Sequence, residues 1–201
     1  MNKVFSQLGE KIRFFDGAMG TVLQEKGLLP GELPELWNLS HREELIEIHR
    51  SYLRAGADFL KTNTFGANRF KLKGSGHTVE EVVSAGVKNA LQAVEDWGKG
   101  TVFLDIGPTG KLLRPLGELD FEDAVSTFAE MVRAGAAAGA EAVLIETMSD
   151  IYEAKAALLA AKENADLPVF VTMTFDEDGK LLTGGELGVA AAVLEGLGAD
   201  A

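Results

Sequence analysis

Five short apolar runs each end in groups able to do chemistry. Ile12–Asp16 runs into Gly17-Ala-Met-Gly-Thr21, and Phe59–Leu60 into Lys61-Thr-Asn-Thr-Phe-Gly-Ala-Asn68. Val102–Leu104 leads to Asp105-Ile-Gly-Pro-Thr-Gly110, Val143–Ile145 to Glu146-Thr-Met-Ser-Asp150, and Val169–Val171 to Thr172-Met-Thr-Phe-Asp176. A carboxylate such as Glu146 at the end of an apolar strand is costly unless paired. Its partner is either a ligand cation or a neighbouring Arg or helix N-terminus. Asp16-Gly17 forms a turn whose backbone amides can meet an anion, or a plain turn capped by Asp16 itself. Thr62 offers a hydroxyl and an amide to a ligand or to the next strand. Asn63, Thr64, Asn68, Asp105 and Thr147 are further candidates. Asn63 and Asn68 could instead be turn formers, Asp105 could orient other side chains from behind, and Thr147 could face the far side of its strand.

Several kinds of chemistry are excluded by what the chain lacks. There is no cysteine, hence no disulfide, thiolate nucleophile or Cys-based metal site within it. The histidines at 41, 49 and 77 form neither a His-x-x-x-His pair nor an HExxH pattern. Asp105–Gly110 looks like a phosphate cradle but lacks the Lys-Ser/Thr of a P-loop. The net charge of -12 repels phosphate backbones, which argues against nucleic acid. No uncharged apolar stretch is long enough to span a membrane, and Met1–Glu10 does not read as a secretory signal. The expected location is the cytoplasm.

The elements that must position these groups alternate along the chain. Ser40-His-Arg-Glu43 reads as a capping box opening a helix to about Arg54. Thr78-Val-Glu-Glu81, Asp120-Phe-Glu-Asp123 and Asp150-Ile-Tyr-Glu153 read as openings of three more, and a fifth covers Gly188–Leu197. Strands alternating with helices predict a parallel α/β sheet or barrel, with the polar clusters gathered at the carboxyl ends of the strands. Three helices end in Ala55-Gly-Ala-Asp58, Ala138-Gly-Ala-Glu141 and Leu197-Gly-Ala-Asp200. The Gly suits the left-handed helix end, and the acid starts the next strand. The third copy is followed by Ala201 alone, which predicts a chain cut short before a sixth strand.

Taken in order, these motifs resemble the homocysteine S-methyltransferase family. The likeness is carried by Phe15-Asp-Gly-Ala-Met-Gly-Thr21, His49-Arg-Ser-Tyr52, Ala55–Asp58, Lys61–Asn68, Asp105–Gly110, Ile145–Asp150, Met173–Asp176 and Leu182-Thr-Gly184. It is strongest to the branch that forms the N-terminal homocysteine-binding module of cobalamin-dependent methionine synthases. The resemblance implies an α/β fold, a (β/α)8 TIM barrel of about 300 residues. Residues 1–201 would then be its N-terminal part, holding the first five βα units. It also implies zinc held by three cysteines, all on later strands and outside this chain.

The resemblance further implies that Glu146 takes the substrate ammonium group, and that Asp16, Gly17 and Thr62 hold its carboxylate end. No catalytic or metal-ligating residue is expected in this chain, and on its own the chain is expected to be inactive. The implied partners are homocysteine, methylcobalamin, and cobalamin- and folate-binding domains of a parent protein. Alternatives are a donor such as betaine or S-methylmethionine, and an inactive barrel fragment that self-associates through open edges. A third is a lyase-type barrel enzyme using Glu146 or Asp16 as base, with Lys61 as its single strand-end lysine.

Overall fold

A computed structural model describes Val4 and residues 12–201. Apart from Val4, the Met1–Glu10 segment read above for a secretory signal lies outside the described residues.

Four parallel strands, β1 (Phe59–Lys61), β2 (Thr101–Ile106), β3 (Ala142–Met148) and β4 (Val169–Met173), lie side by side in chain order. The helices are α1 (Met19–Glu25), α2 (Trp37–Ser40), α3 (Arg42–Ala55), α4 (Val79–Trp97), α5 (Phe121–Ala138), α6 (Ile151–Asn164) and α7 (Leu187–Gly196). The run expected to form a first strand is reduced to one parallel bridge, Phe15 with Phe59. It still lies beside β1: the Phe59 amide donates to Phe14 O and the Asp16 amide to Phe59 O, at 3.0 and 2.9 Å.

Alternation along the strands splits the core into two faces. Leu104, Ile106, Val143 and Ile145 pack outward against Val82, Val87, Phe128, Met131, Val132 and Leu158 of the helices. Phe59, Phe103, Leu144 and Phe170 pack on the other face, joined by Phe15. Their rings meet edge-on or tilted, with centroids 4.9–5.2 Å apart for Phe15–Phe103 and Phe103–Phe170, and 5.1 Å for Phe59–Phe103. Each such pair adds roughly 0.5–1.5 kcal/mol to the burial itself. Two residues further along β1, β2 and β3, the same face carries Lys61, Asp105 and Glu146.

The Gly-Ala-acid repeat has one geometry in all three copies. Gly56, Gly139 and Gly198 sit at φ 107°, 101° and 89°, the left-handed region that terminates a helix. The acid then clamps the preceding strand reciprocally. The Asp58 amide donates to Phe14 O and its carboxylate accepts from the Phe14 amide. Glu141 does the same with Val102, and Asp200 with Val169. Asp200 thereby lies beside β4, and the Val171 amide donates to Ala201 O at 2.8 Å.

The helix openings fared unevenly. Thr78 and Glu81 form a complete capping box. Asp150 caps α6 through the Tyr152 amide, but Glu153 turns inward to Thr109 instead of closing a box. Asp120 precedes α5 yet pairs with Arg114. Ser40 is a correction: it ends α2, its hydroxyl bonding Leu36 O and meeting His41 Nδ1, and His41 opens α3. Trp37 stacks on His41 at 3.9 Å, so packing of this corner displaces the local capping pattern.

Candidate functional site

The carboxyl ends of β1, β2 and β3, together with the turn after Phe15, close around a cavity of about 550 Å³. Its walls include Asp16, Gly17, Glu35, Lys61, Thr62, Asn63, Asp105, Glu146 and Thr147. Asp16, Thr62 and Glu146, far apart in sequence, thus share one wall system at one rim of the sheet.

Each position has a local cause. Gly17 eases the packing: a Cβ there would sit 3.0 Å from the Tyr52 ring and hydroxyl, and the ring would have to give way. Tyr52 donates in turn to Ala18 O at 2.7 Å and fixes the turn. Asp16 is 8% exposed, and both its carboxylate oxygens accept from the Lys61 amide, at 3.2 and 3.1 Å. Glu146 and Thr147 occupy a register irregularity between Ile145 and Met148, with Thr147 at φ 62°. A left-handed β-branched residue costs on the order of 1–3 kcal/mol. That bulge lets two consecutive residues line the same cavity, which simple alternation forbids. The Thr147 amide is held by Thr172 Oγ1 at 3.1 Å.

The hydroxyls of Thr62 and Thr64 form a closed relay. Thr64 Oγ1 donates to Asp105 O at 2.7 Å, so the Thr62 hydroxyl donates to Thr64 at 2.6 Å. Thr62 Oγ1 also accepts from the Asp105 amide, while the Thr62 amide donates to Phe103 O. Both Thr62 donors are therefore committed to locking β1 onto β2. Thr64 lies fully buried behind the wall. Asn63 is tied by its side chain to Pro34 O and Asn38 Oδ1. Asn68 is a buried turn former, accepting from the Phe70 and Lys71 amides.

Charge is concentrated at the centre. Lys61 Nζ lies 3.2 and 3.4 Å from the two Glu146 oxygens. The partner of Glu146 is thus neither an arginine nor a helix end. Burial alone would lower the Lys61 pKa, but the carboxylates of Glu146, Asp105 and Asp16 outweigh it and hold the ammonium above its ordinary value. Burial raises Asp16 from 3.8 to about 7, against the attraction of Lys61. Burial, then the nearby Glu146 charge, pushes Asp105 well above the carboxylate range. Asp105 Oδ1 is buried and has no hydrogen-bond partner among the described residues.

Sequence reasoning gave Lys61 a part only in the lyase alternative, although it ends an apolar strand two residues after an inward phenylalanine, and it missed the wall residue Glu35, which had no signal. It is 5% exposed in a short 3-10 turn, and accepts from the Gly66 amide at 2.6 Å, an approach a side chain at Gly66 would block.

The fold and site define a parallel α/β protein of the barrel type, with a polar pocket built at the carboxyl ends of its strands. Residues 13–201 match the homocysteine S-methyltransferase family, and the chain belongs to it. Methionine synthase of Mycobacterium leprae is 32% identical over 210 residues, covering 96% of this chain but 17% of that protein. Methionine synthase of Mycobacterium tuberculosis is 31% identical, covering 96% and 18%. The chain therefore spans less than a fifth of the length of these relatives. Among solved structures, the homocysteine methyltransferase MmuM from Escherichia coli in its oxidized form superposes with a TM-score of 0.86 at 22% identity, over 98% of this chain and 74% of that one. The metallated form gives 0.85. That likeness shows the fold: a partial barrel of the homocysteine methyltransferase kind.

The cavity's own donors do not fit a zinc site. They are carboxylates, an amide, hydroxyls and an ammonium, with no thiolate or imidazole. Among the described residues, no group of three or more His, Cys, Asp or Glu is placed to hold a metal ion.

Proposed function

We propose that this chain is the N-terminal part of a homocysteine-binding barrel in a methionine-synthase-type methyltransferase, and that it holds the amino-acid end of homocysteine. The observation that carries this reading is the convergence of Asp16, Lys61, Asp105 and Glu146, from three strand ends and the turn after Phe15, on one cavity. Glu146 takes the substrate ammonium, and the Asp16-Gly17 turn meets the carboxylate end. Orienting the substrate this way contributes to rate by fixing the sulfur in one position.

The finer parts of the reading come from the family. The parent protein would transfer a methyl group from methylcobalamin to the homocysteine sulfur, giving methionine in the cytoplasm, with cobalamin- and folate-binding domains as partners. Zinc lowers the pKa of a coordinated thiol. Because the residues here do not fit that metal, its ligands on this reading belong to polypeptide outside these 201 residues, and the chain alone is inactive. Among the described residues, no helix is long and apolar enough to cross a membrane.

Calorimetric titration of the 201-residue chain with L-homocysteine tests the substrate assignment. Binding is expected for the unaltered chain and should weaken about tenfold or more in Glu146→Gln, since a charge-assisted hydrogen bond is lost. Equal affinity for 4-mercaptobutyrate, which lacks the ammonium, would refute the assignment.

Self-association is a second reading, favoured by the far side of the sheet. A groove of about 650 Å³ runs between β4 and α7, lined by Val171, Met173, Phe175, Leu187 and Leu194. Leu187 and Val189 are 64% and 58% exposed. Light scattering at micromolar concentration decides it, a clean monomer defeating the idea.

A further inference from the structure

Lys61 plays no part in the substrate contacts assigned above, yet its ammonium sits at the centre of the cavity. Among the described residues lining that space it is the single cationic side chain, against the carboxyl groups of Asp16, Glu35, Asp105 and Glu146. A surface this acidic repels the carboxylate of any incoming amino acid. The Thr62 amide and hydroxyl cannot relieve that repulsion, because both donate within the sheet.

We propose that Lys61 supplies the positive charge for carboxylate recognition beside the Asp16-Gly17 turn, and that the Lys61–Glu146 ion pair opens around a zwitterionic α-amino acid so that each partner takes the opposite charge of the ligand. This rests on the reading that the cavity binds an amino acid.

Three observations carry it. The pair is loose for an ion pair of this kind, with Nζ–O distances of 3.2 and 3.4 Å, where a charge-assisted bond is usually ~2.7–2.9 Å. Both side chains are still about one-fifth exposed, at 21% and 19%, and that exposure reaches the cavity they line. The ligand offers one ammonium and one carboxylate, so exchanging one ion pair for two leaves no charge unmatched. Asp105 Oδ1 lies against the same wall and has no hydrogen-bond partner among the described residues, and burial raises the pKa of that carboxyl. An amine without a carboxylate would instead have to displace Lys61 from Glu146 with nothing in return.

The test compares three ligands on the 201-residue chain: L-homocysteine, its decarboxylated analogue 3-aminopropane-1-thiol, and L-2-aminobutyrate, which keeps both charges but lacks sulfur. Isothermal titration is run on the unaltered chain, Lys61→Met and Lys61→Arg, with circular dichroism to confirm folding. Lys61→Met should weaken both amino acids about tenfold or more, while leaving the decarboxylated amine unchanged or bound more tightly. Lys61→Arg should restore most of the amino-acid affinity. A uniform loss across all three ligands, or no loss for the amino acids, overturns the proposal while the homocysteine reading survives. Lys61-dependent binding of 2-aminobutyrate equal to that of homocysteine supports the proposal and counts against sulfur selectivity. If the unaltered chain binds no amino acid, both fall together.

Discussion

Replacing Asp16 by Asn tests the electrostatic account of the pocket. Asn keeps an oxygen to accept from the Lys61 amide but cannot ionise. Burial raises the Asp16 pKa from 3.8 to about 7, so the folded chain binds this proton more tightly than the unfolded chain. The sign follows from linkage: a raised folded-state pKa contributes stability that is fully present below pH 3.8 and is lost as pH rises through about 7. Integrated between pH 5 and pH 8, the loss is about 2.5 kcal/mol from this one group. For a chain of this size that is a fall in Tm of roughly 5–10 °C. Urea titrations at pH 5, 6, 7 and 8 measure it directly. The unaltered chain should lose stability across that range relative to Asp16→Asn, most steeply below pH 7. His49, buried and held neutral with its pKa lowered to about 4, acts in the opposite sense below pH 6.5. It is common to both proteins, so it cancels in the comparison. Parallel pH dependences would show that Asp16 stays ionised against Lys61, and that the argument from burial is wrong.

Two structural predictions accompany this and the ligand experiments on Glu146 and Lys61. Phe103→Ala removes the ring that joins Phe15, Phe59 and Phe170, and should cost ~3–5 kcal/mol by chemical denaturation; a loss under 1 kcal/mol would mean that the inner face is loosely packed. Thr78→Ala breaks the capping box of α4 and should cost ~1 kcal/mol, with Thr78→Ser restoring most of it; equal stability of all three would remove the box as a determinant of that helix start.

The sequence was most legible where the physics is local. The alternation of apolar runs with amphipathic stretches located β1 to β4 and the helices between them. The Gly-Ala-acid repeat was readable because a left-handed helix end demands glycine, as Gly56, Gly139 and Gly198 confirm. It was less legible at Ser40, where Trp37 stacking on His41 overrides a valid local pattern. The Ile12–Asp16 run was read as a strand, but makes one bridge to β1.

For the site, residue type and position after an apolar run were enough to nominate Asp16, Gly17, Thr62, Asp105, Glu146 and Thr147, because an acid or hydroxyl at a strand end needs a partner. What each nominee does there depends on contacts between distant segments. Only the folded sheet shows that the Thr62 donors are consumed by Thr64 and Phe103, that a bulge turns Glu146 and Thr147 into the same cavity, and that Glu35 reaches in from a loop. The sequence determined the barrel-type alternation and the chemical types at its rim, since those follow from periodicity and helix-end geometry. Tertiary structure decided the pairing of Lys61 with Glu146 across 85 residues and the upward pKa shift that burial gives Asp16 and Asp105, because distance and dielectric exist only once the strands lie side by side.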